Sequence, residues 1–223
     1  MCGRFTLFEP SAVLSKEFGV PVSIDFAPRY NIAPSQMAPV VRASPADEGR
    51  EFTRLRWGLI PSWAKDPSIG NRLINARAET AVEKPAFRSA LRHRRCLVPA
   101  SGFYEWQKLD RKKQPFYIRM RDGLPFAFAG LWEHWEDPGG STIETYTILT
   151  TAANTILSPI HDRMPVIVAP GEYNRWLDPS LQGPDSLAPL LVPFPPEEML
   201  AFPVGPRVNT PSFDDARCID PLP

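Results

Sequence analysis

At 223 residues, with 43% hydrophobic and 22% charged side chains, the chain describes a globular protein with a sizeable core rather than a fibrous or disordered one. No run approaches the ~18 consecutive apolar residues of a membrane-spanning helix, and the amino terminus lacks the apolar core of a signal peptide, so a cytosolic or nuclear setting without a membrane is expected. The formal net charge is zero, yet residues 72–121 hold 13 Lys/Arg against 4 Asp/Glu, and residues 122–223 hold 4 against 14.

Such a basic segment in a neutral protein points to a polyanionic partner, or else to a solvated face balanced by the acidic end. Cys2, Cys96 and Cys218 are odd in number, widely spaced and without a C-x-x-C pair. That argues against a disulfide framework and a zinc site, and neither metal nor cofactor is expected.

The chain opens Met1-Cys2-Gly3-Arg4. Cys2 is small enough for Met1 to be trimmed, which leaves an α-amine beside a thiol. Such a 1,2-aminothiol condenses with an aldehyde: the amine forms an imine, and the sulfur then closes a five-membered thiazolidine. The free amine titrates near pH ~8 and the thiol near ~8.5, so modest tuning makes both nucleophilic at neutral pH. Taken alone, Cys2 could equally be an accident of position.

Residues 5–7 predict a strand and 11–18 a short capped helix. Residues 29–36 read as a loop before a strand at 37–41, 44–49 as a polar turn, and 51–57 as an alternating strand. In 57–66, two tryptophans flank a glycine and a proline, which predicts a loop. Trp57 belongs to the core by its place at a strand end, whereas Trp63 fits either a base-stacking surface or a plug beneath the loop. After 75–80 a helix is expected through Phe87 to Leu91, where Lys84, Arg88, Arg92, Arg94 and Arg95 continue the basic segment.

Residues 96–99 form a strand leading to Phe103-Tyr104-Glu105-Trp106. Glu105 is a lone carboxylate among aromatics, either desolvated and able to exchange protons near neutrality or exposed on an alternating strand. A charged hairpin tip at 108–113 precedes strands at 115–120, 126–131 and 145–150. His161 stands in a polar loop before a strand at 166–169, placed for proton transfer or for a structural hydrogen bond. Residues 172–177 read as a helical turn or two, and the proline-rich stretch beyond Pro179 as extended segments on the surface. Many short strands between turns predict an α+β protein whose core is mainly antiparallel and barrel-like, with a few flanking short helices. One domain spans 1–223, with residues from about 179 as a packed tail.

Taken together, Met1-Cys2-Gly3-Arg4-Phe5 and the stretches 29–36, 57–66, 75–80, 96–106, 161–168 and 204–209 resemble, in order, the SOS-response-associated peptidase (SRAP) family of abasic-site processing proteins. The resemblance implies recognition of an abasic site in single-stranded DNA and a covalent thiazolidine at its sugar aldehyde through Cys2. It implies proton management by Glu105, sugar-ring opening by His161 and orientation of the amino terminus by Asn75. Arg4, Arg77 and Arg163 would contact phosphates, with Lys84 or Arg88 extending the path, Gly3 admitting the sugar and Trp63 beside displaced bases. A monomer suffices for such a role.

Three rival readings stand beside it. One is a thiol autopeptidase that removes only its own Met1, and another a glutamine amidotransferase with an N-terminal cysteine, although Arg4 and the lack of glutamine-pocket motifs disfavour it. The third is a non-covalent single-strand binder, which leaves the conjunction of Cys2, Glu105 and His161 unexplained.

Overall fold

Apolar runs too short for helices pair here into two sheets. The computed structural model describes residues 2–44, 49–110 and 112–223; residues 45–48 of the expected polar turn lie outside them. In chain order the strands are β1 (Arg4–Leu7), β2 (Arg29–Ile32), β3 (Met37–Ala43), β4 (Arg50–Trp57), β5 (Asn75–Arg77), β6 (Arg95–Ala100), β7 (Gly102–Leu109) and β8 (Lys112–Met120). They continue as β9 (Phe126–Glu136), β10 (Thr142–Ala152), β11 (Arg163–Pro165), β12 (Ile167–Val168) and β13 (Met199–Pro203). The helices are α1 (Ser11–Phe18), α2 (Ala78–Ala81), α3 (Arg88–His93), α4 (Tyr173–Leu177) and α5 (Pro184–Leu187).

Strands β4, β3, β6, β9 and β10 pair successively, and β10 returns to β4, which closes a five-stranded barrel. All its seams are antiparallel except β10–β4. Closure removes the open edges that a flat sheet would expose. The second sheet runs β13-β8-β7-β1-β2 and packs on the barrel through aromatic edges. Phe5 meets Phe128 at 5.9 Å and Trp57 at 5.3 Å, and Phe103 meets Phe128 at 5.8 Å between ring centroids. Each such contact adds roughly 0.5–1.5 kcal/mol beyond area burial, and these fix β1 relative to the barrel. No helix among the described residues is long and apolar enough to cross a membrane.

Several expectations are corrected. Residues 29–32, read as loop, form β2, because the Asp214 carboxylate accepts the backbone N–H groups of Tyr30 and Asn31 and orders them beside β1. The helix expected through Leu91 breaks into α2 and α3, since Pro85 between them has no N–H and disfavours helical backbone before it. Helix α1 begins after Pro10, with no side-chain cap from Ser11. The strand expected at 166–169 shortens to β12, paired with β9, and a separate strand not foreseen, β11, precedes it and pairs with β10. The tail is more regular than expected: β13 pairs with β8 over five residues and short helices flank it. Its prolines cluster outside that ladder, apart from Pro203 at the strand end.

Candidate active site

The β1–β7 register brings the N-terminal residues to Glu105. Arg4 pairs with Tyr104, Phe5 with Phe103 and Thr6 with Gly102, so one further step sets Gly3 opposite Glu105. Gly102 locks this register, because a Cβ there would lie 2.2 Å from the hydroxyl of Tyr117. That buried hydroxyl is 2.9 Å from Thr6 Oγ1 on β1. One small residue thus admits the contact that fastens three strands together.

Cys2 is fully buried. Burial, and then the Glu105 carboxylate, push its thiol well above the usual range, so the resting sulfur is protonated. Glu105 is 2% exposed, which excludes the alternative of an exposed strand position, and burial pushes its pKa up to about 7. Asn75 Nδ2 donates to the Cys2 carbonyl at 2.8 Å, while Asn75 Oδ1 is buried without a partner among the described residues. Asn75 gets there through β5, which runs parallel to β10 with Asn75 opposite Ile148. Trp57 steadies the approach by donating its indole N–H to the Ile74 carbonyl at 2.8 Å.

His161 is held on the other side. Gln107, two residues after Glu105 on β7, donates to the Pro159 carbonyl at 3.0 Å and ties the histidine loop to that strand. His161 Nδ1 lies 3.0 Å from the Arg163 backbone N–H and 2.9 Å from Asp162 Oδ1. These neighbours compete for one nitrogen: a neutral Nδ1 accepts from the amide, whereas a protonated one donates to the carboxylate. Burial lowers the His161 pKa, and Asp162 is 87% exposed and free to turn into water. The neutral ring with its proton on Nε2 is therefore favoured, which leaves a donor on the far edge.

The basic residues divide by role. Arg77, Lys84 and Arg88 are exposed, without side-chain hydrogen bonds or ion pairs to described residues. Trp63 is 58% exposed, not a plug, since Trp135 reaches under its loop to the Ala64 carbonyl at 2.7 Å. Arg4 is engaged instead, donating to Asn31 Oδ1 at 2.8 Å and to the Val208 and Asn209 carbonyls at 2.6 and 3.3 Å. Arg163 is held by Glu79 and by the Thr150 carbonyl. Arg94 is drawn partly inward and Arg95 leaves the basic surface altogether: Arg94 pairs with buried Glu133, and Arg95, 5% exposed, donates to four backbone carbonyls. Sequence reasoning missed Glu79, Gln107, Thr6 and Tyr117, whose partners are distant in the chain and leave no local pattern. No group of three or more metal-ligating side chains occurs among the described residues.

Fold and site together define a closed barrel with a second sheet packed on it, in which a buried cysteine just before the first strand lies near a carboxylate poised near neutrality. The chain matches the family model for SOS response associated peptidase (SRAP) over residues 1–211, and it belongs to that family. It is 43% identical to abasic site processing protein YoaM of Bacillus subtilis, over 99% of this chain and 98% of that protein. It is 34% identical to abasic site processing protein YedK of Escherichia coli, over 83% of each. A crystal structure of a protein from Bacteroides thetaiotaomicron superposes with a TM-score of 0.90 at 28% identity, covering 99% of this chain and all of that one.

Proposed function

We propose that the protein recognises abasic sites in single-stranded DNA and joins them covalently through Cys2 once Met1 has been removed. The observation that carries this reading is the convergence on Cys2 of the Asn75 amide and the buried Glu105 carboxylate, whose pKa is about 7. The names of the YoaM and YedK relatives support the lesion. The covalent step rests on the chemistry of the residues.

An abasic sugar is mostly a closed hemiacetal, and the reactive aldehyde is scarce. His161, as a neutral Nε2–H group, holds the ring oxygen by a hydrogen bond while the C1′–ring-oxygen bond breaks, the ring oxygen gaining a proton and the C1′ hydroxyl losing one to water, which gives the aldehyde and an alcohol with no net change on His161. The Cys2 amine adds to C1′, and the resulting carbinolamine loses its hydroxyl as water to give the imine, with Glu105 supplying the proton. Glu105, now a carboxylate, removes the thiol proton. The sulfur adds to C1′ of this protonated imine while the C=N electron pair returns to nitrogen, which keeps the proton it already carries. One water leaves overall. The unpartnered Asn75 Oδ1 is an acceptor suited to aligning the amine, and holding the reactants together supplies an effective molarity that free cysteine lacks. A thiazolidine also blocks the β-elimination that an imine promotes, which shields the lesion instead of breaking the strand. Arg77, Lys84 and Arg88 offer cations to the flanking phosphates, and Trp63 a face for a base.

Intact mass tests the proposal. Incubation with a single-stranded oligonucleotide carrying one abasic site is expected to yield a heat-stable species at the mass of the Met1-trimmed protein plus DNA minus one water, and Cys2→Ala should yield none. Absence of the adduct although Met1 is gone would return the amidotransferase and plain-binder readings to the front.

A further inference from the structure

Arg163 lies two residues after His161 in the chain, but its guanidinium is already occupied. Nη1 donates to Glu79 Oε1 at 2.6 Å and Nη2 to Glu79 Oε2 at 2.8 Å. Nη2 also donates to the Thr150 carbonyl at 2.6 Å, so both its hydrogens are engaged. Nε is buried without a partner among the described residues, and a single Nη1 hydrogen remains for anything else. The two-pronged geometry that grips a carboxylate is the one that grips a phosphate.

We infer that Glu79 is a built-in competitor for the DNA backbone at Arg163: a phosphate obtains the two-pronged contact only by displacing the Glu79 carboxylate. This rests on the reading that Arg163 meets a phosphate of bound DNA. The two partners differ in freedom. The Arg163 side chain is 15% exposed and anchored on Thr150, whereas the Glu79 side chain is 50% exposed on the single turn of α2. A displaced Glu79 therefore turns into water while Arg163 stays in place. The hydrogen bond from Arg163 holds the Glu79 carboxyl below its usual range, so it remains an anion at neutral pH. To an approaching strand the pair is neutral. Arg77, two residues before Glu79 and exposed, then attracts the backbone from a distance, and Arg163 adds its grip only to a strand seated closely enough to replace Glu79.

Binding is best measured by fluorescence anisotropy with a single-stranded oligonucleotide carrying a tetrahydrofuran abasic analogue, which has no aldehyde and so separates binding from crosslinking. Glu79→Gln should bind about threefold to fivefold more tightly than the unaltered protein, the range set by an exposed ion pair. Arg163→Ala should bind more weakly, and the double variant no more tightly than Arg163→Ala. Glu83→Gln, which removes a nearby exposed carboxylate, should gain less than Glu79→Gln. Unchanged or weaker binding by Glu79→Gln, alongside weaker binding by Arg163→Ala, would overturn the competitor role and leave the phosphate contact standing. Unaltered binding by Arg163→Ala would overturn both. If Arg163→Ala does not fold, Arg163→Lys takes its place, since it keeps the charge without the fork. A gain from Glu79→Gln that persists on that background would reduce the effect to general electrostatics and overturn the proposal.

Discussion

Glu105 links the chemistry of the site to the stability of the fold. The folded protein holds its proton up to about pH 7, while the unfolded chain releases it near 4.5, the ordinary value for a glutamate. Between those values the folded state binds more protons, so this group lowers stability as the pH rises through that window. Glu105→Gln should therefore be more stable above pH 7, by up to ~3 kcal/mol in urea denaturation. It should also crosslink about 10²–10⁴-fold more slowly, the range of general acid–base contributions. Loss of stability together with activity would mark Glu105 as a structural residue. The aromatic neighbours of Glu105 were visible in the sequence, but its burial was not. An alternating strand reads the same whether one face or both are covered, and β7 is covered on both faces along its first four residues.

At the scale of elements, the register between β1 and β7 governs the site, and Gly102 governs the register. Gly102→Ala drives a Cβ into the Tyr117 hydroxyl, so it should destabilise the protein by about 1–3 kcal/mol and slow crosslinking by displacing Cys2 from Glu105. Unaltered crosslinking by a folded variant would show that the register tolerates the change. Arg95 governs the ends of α3 and α4. It donates to the Leu91 and Arg92 carbonyls in α3 and to those of Trp176 and Asp178 at the end of α4. Arg95→Met should cost at least ~3 kcal/mol in urea denaturation, since hydrogen bonds to a buried charge are worth about 1.5–3 kcal/mol each. Arg88→Met, at an exposed position on α3, should leave stability within about 0.5 kcal/mol. The basic run 88–95 looks uniform in the sequence. Only the packing of α3 against β6 and β9 separates its inward arginines from its outward ones.

Across the whole molecule, the zero net charge conceals the basic segment and the acidic end. Arg77→Ala should lower the slope of log affinity against log salt by about 0.7, the contribution of one phosphate contact on a single strand; an unchanged slope would place Arg77 away from the backbone. Arg4 connects the two ends of the chain, holding the 208–209 carbonyls against β1 and Asn31. Arg4→Ala should raise hydrogen exchange across 206–219 before it alters the barrel, and uniform protection there would mean that Asp214 anchors the tail alone.

The residues by themselves pointed to the class of fold and to the chemistry proposed: short apolar runs between turns favour a closed β core, and a cysteine directly behind Met1 would supply an aminothiol once Met1 is removed. Local composition suffices for such inferences, because strand length, turn residues and nucleophile identity are properties of neighbouring positions. Only the tertiary structure decided that 29–32 joins a sheet, that Glu105 is desolvated, that His161 keeps a neutral Nδ1 turned toward an amide, and that Arg4, Arg95 and Arg163 are already engaged. The His161 contact is local, from the Arg163 amide, and only the burial around the ring is not; the others depend on partners tens to hundreds of positions away or on burial by a second layer. Neither pairing partners nor dielectric surroundings are encoded in any short stretch of the chain.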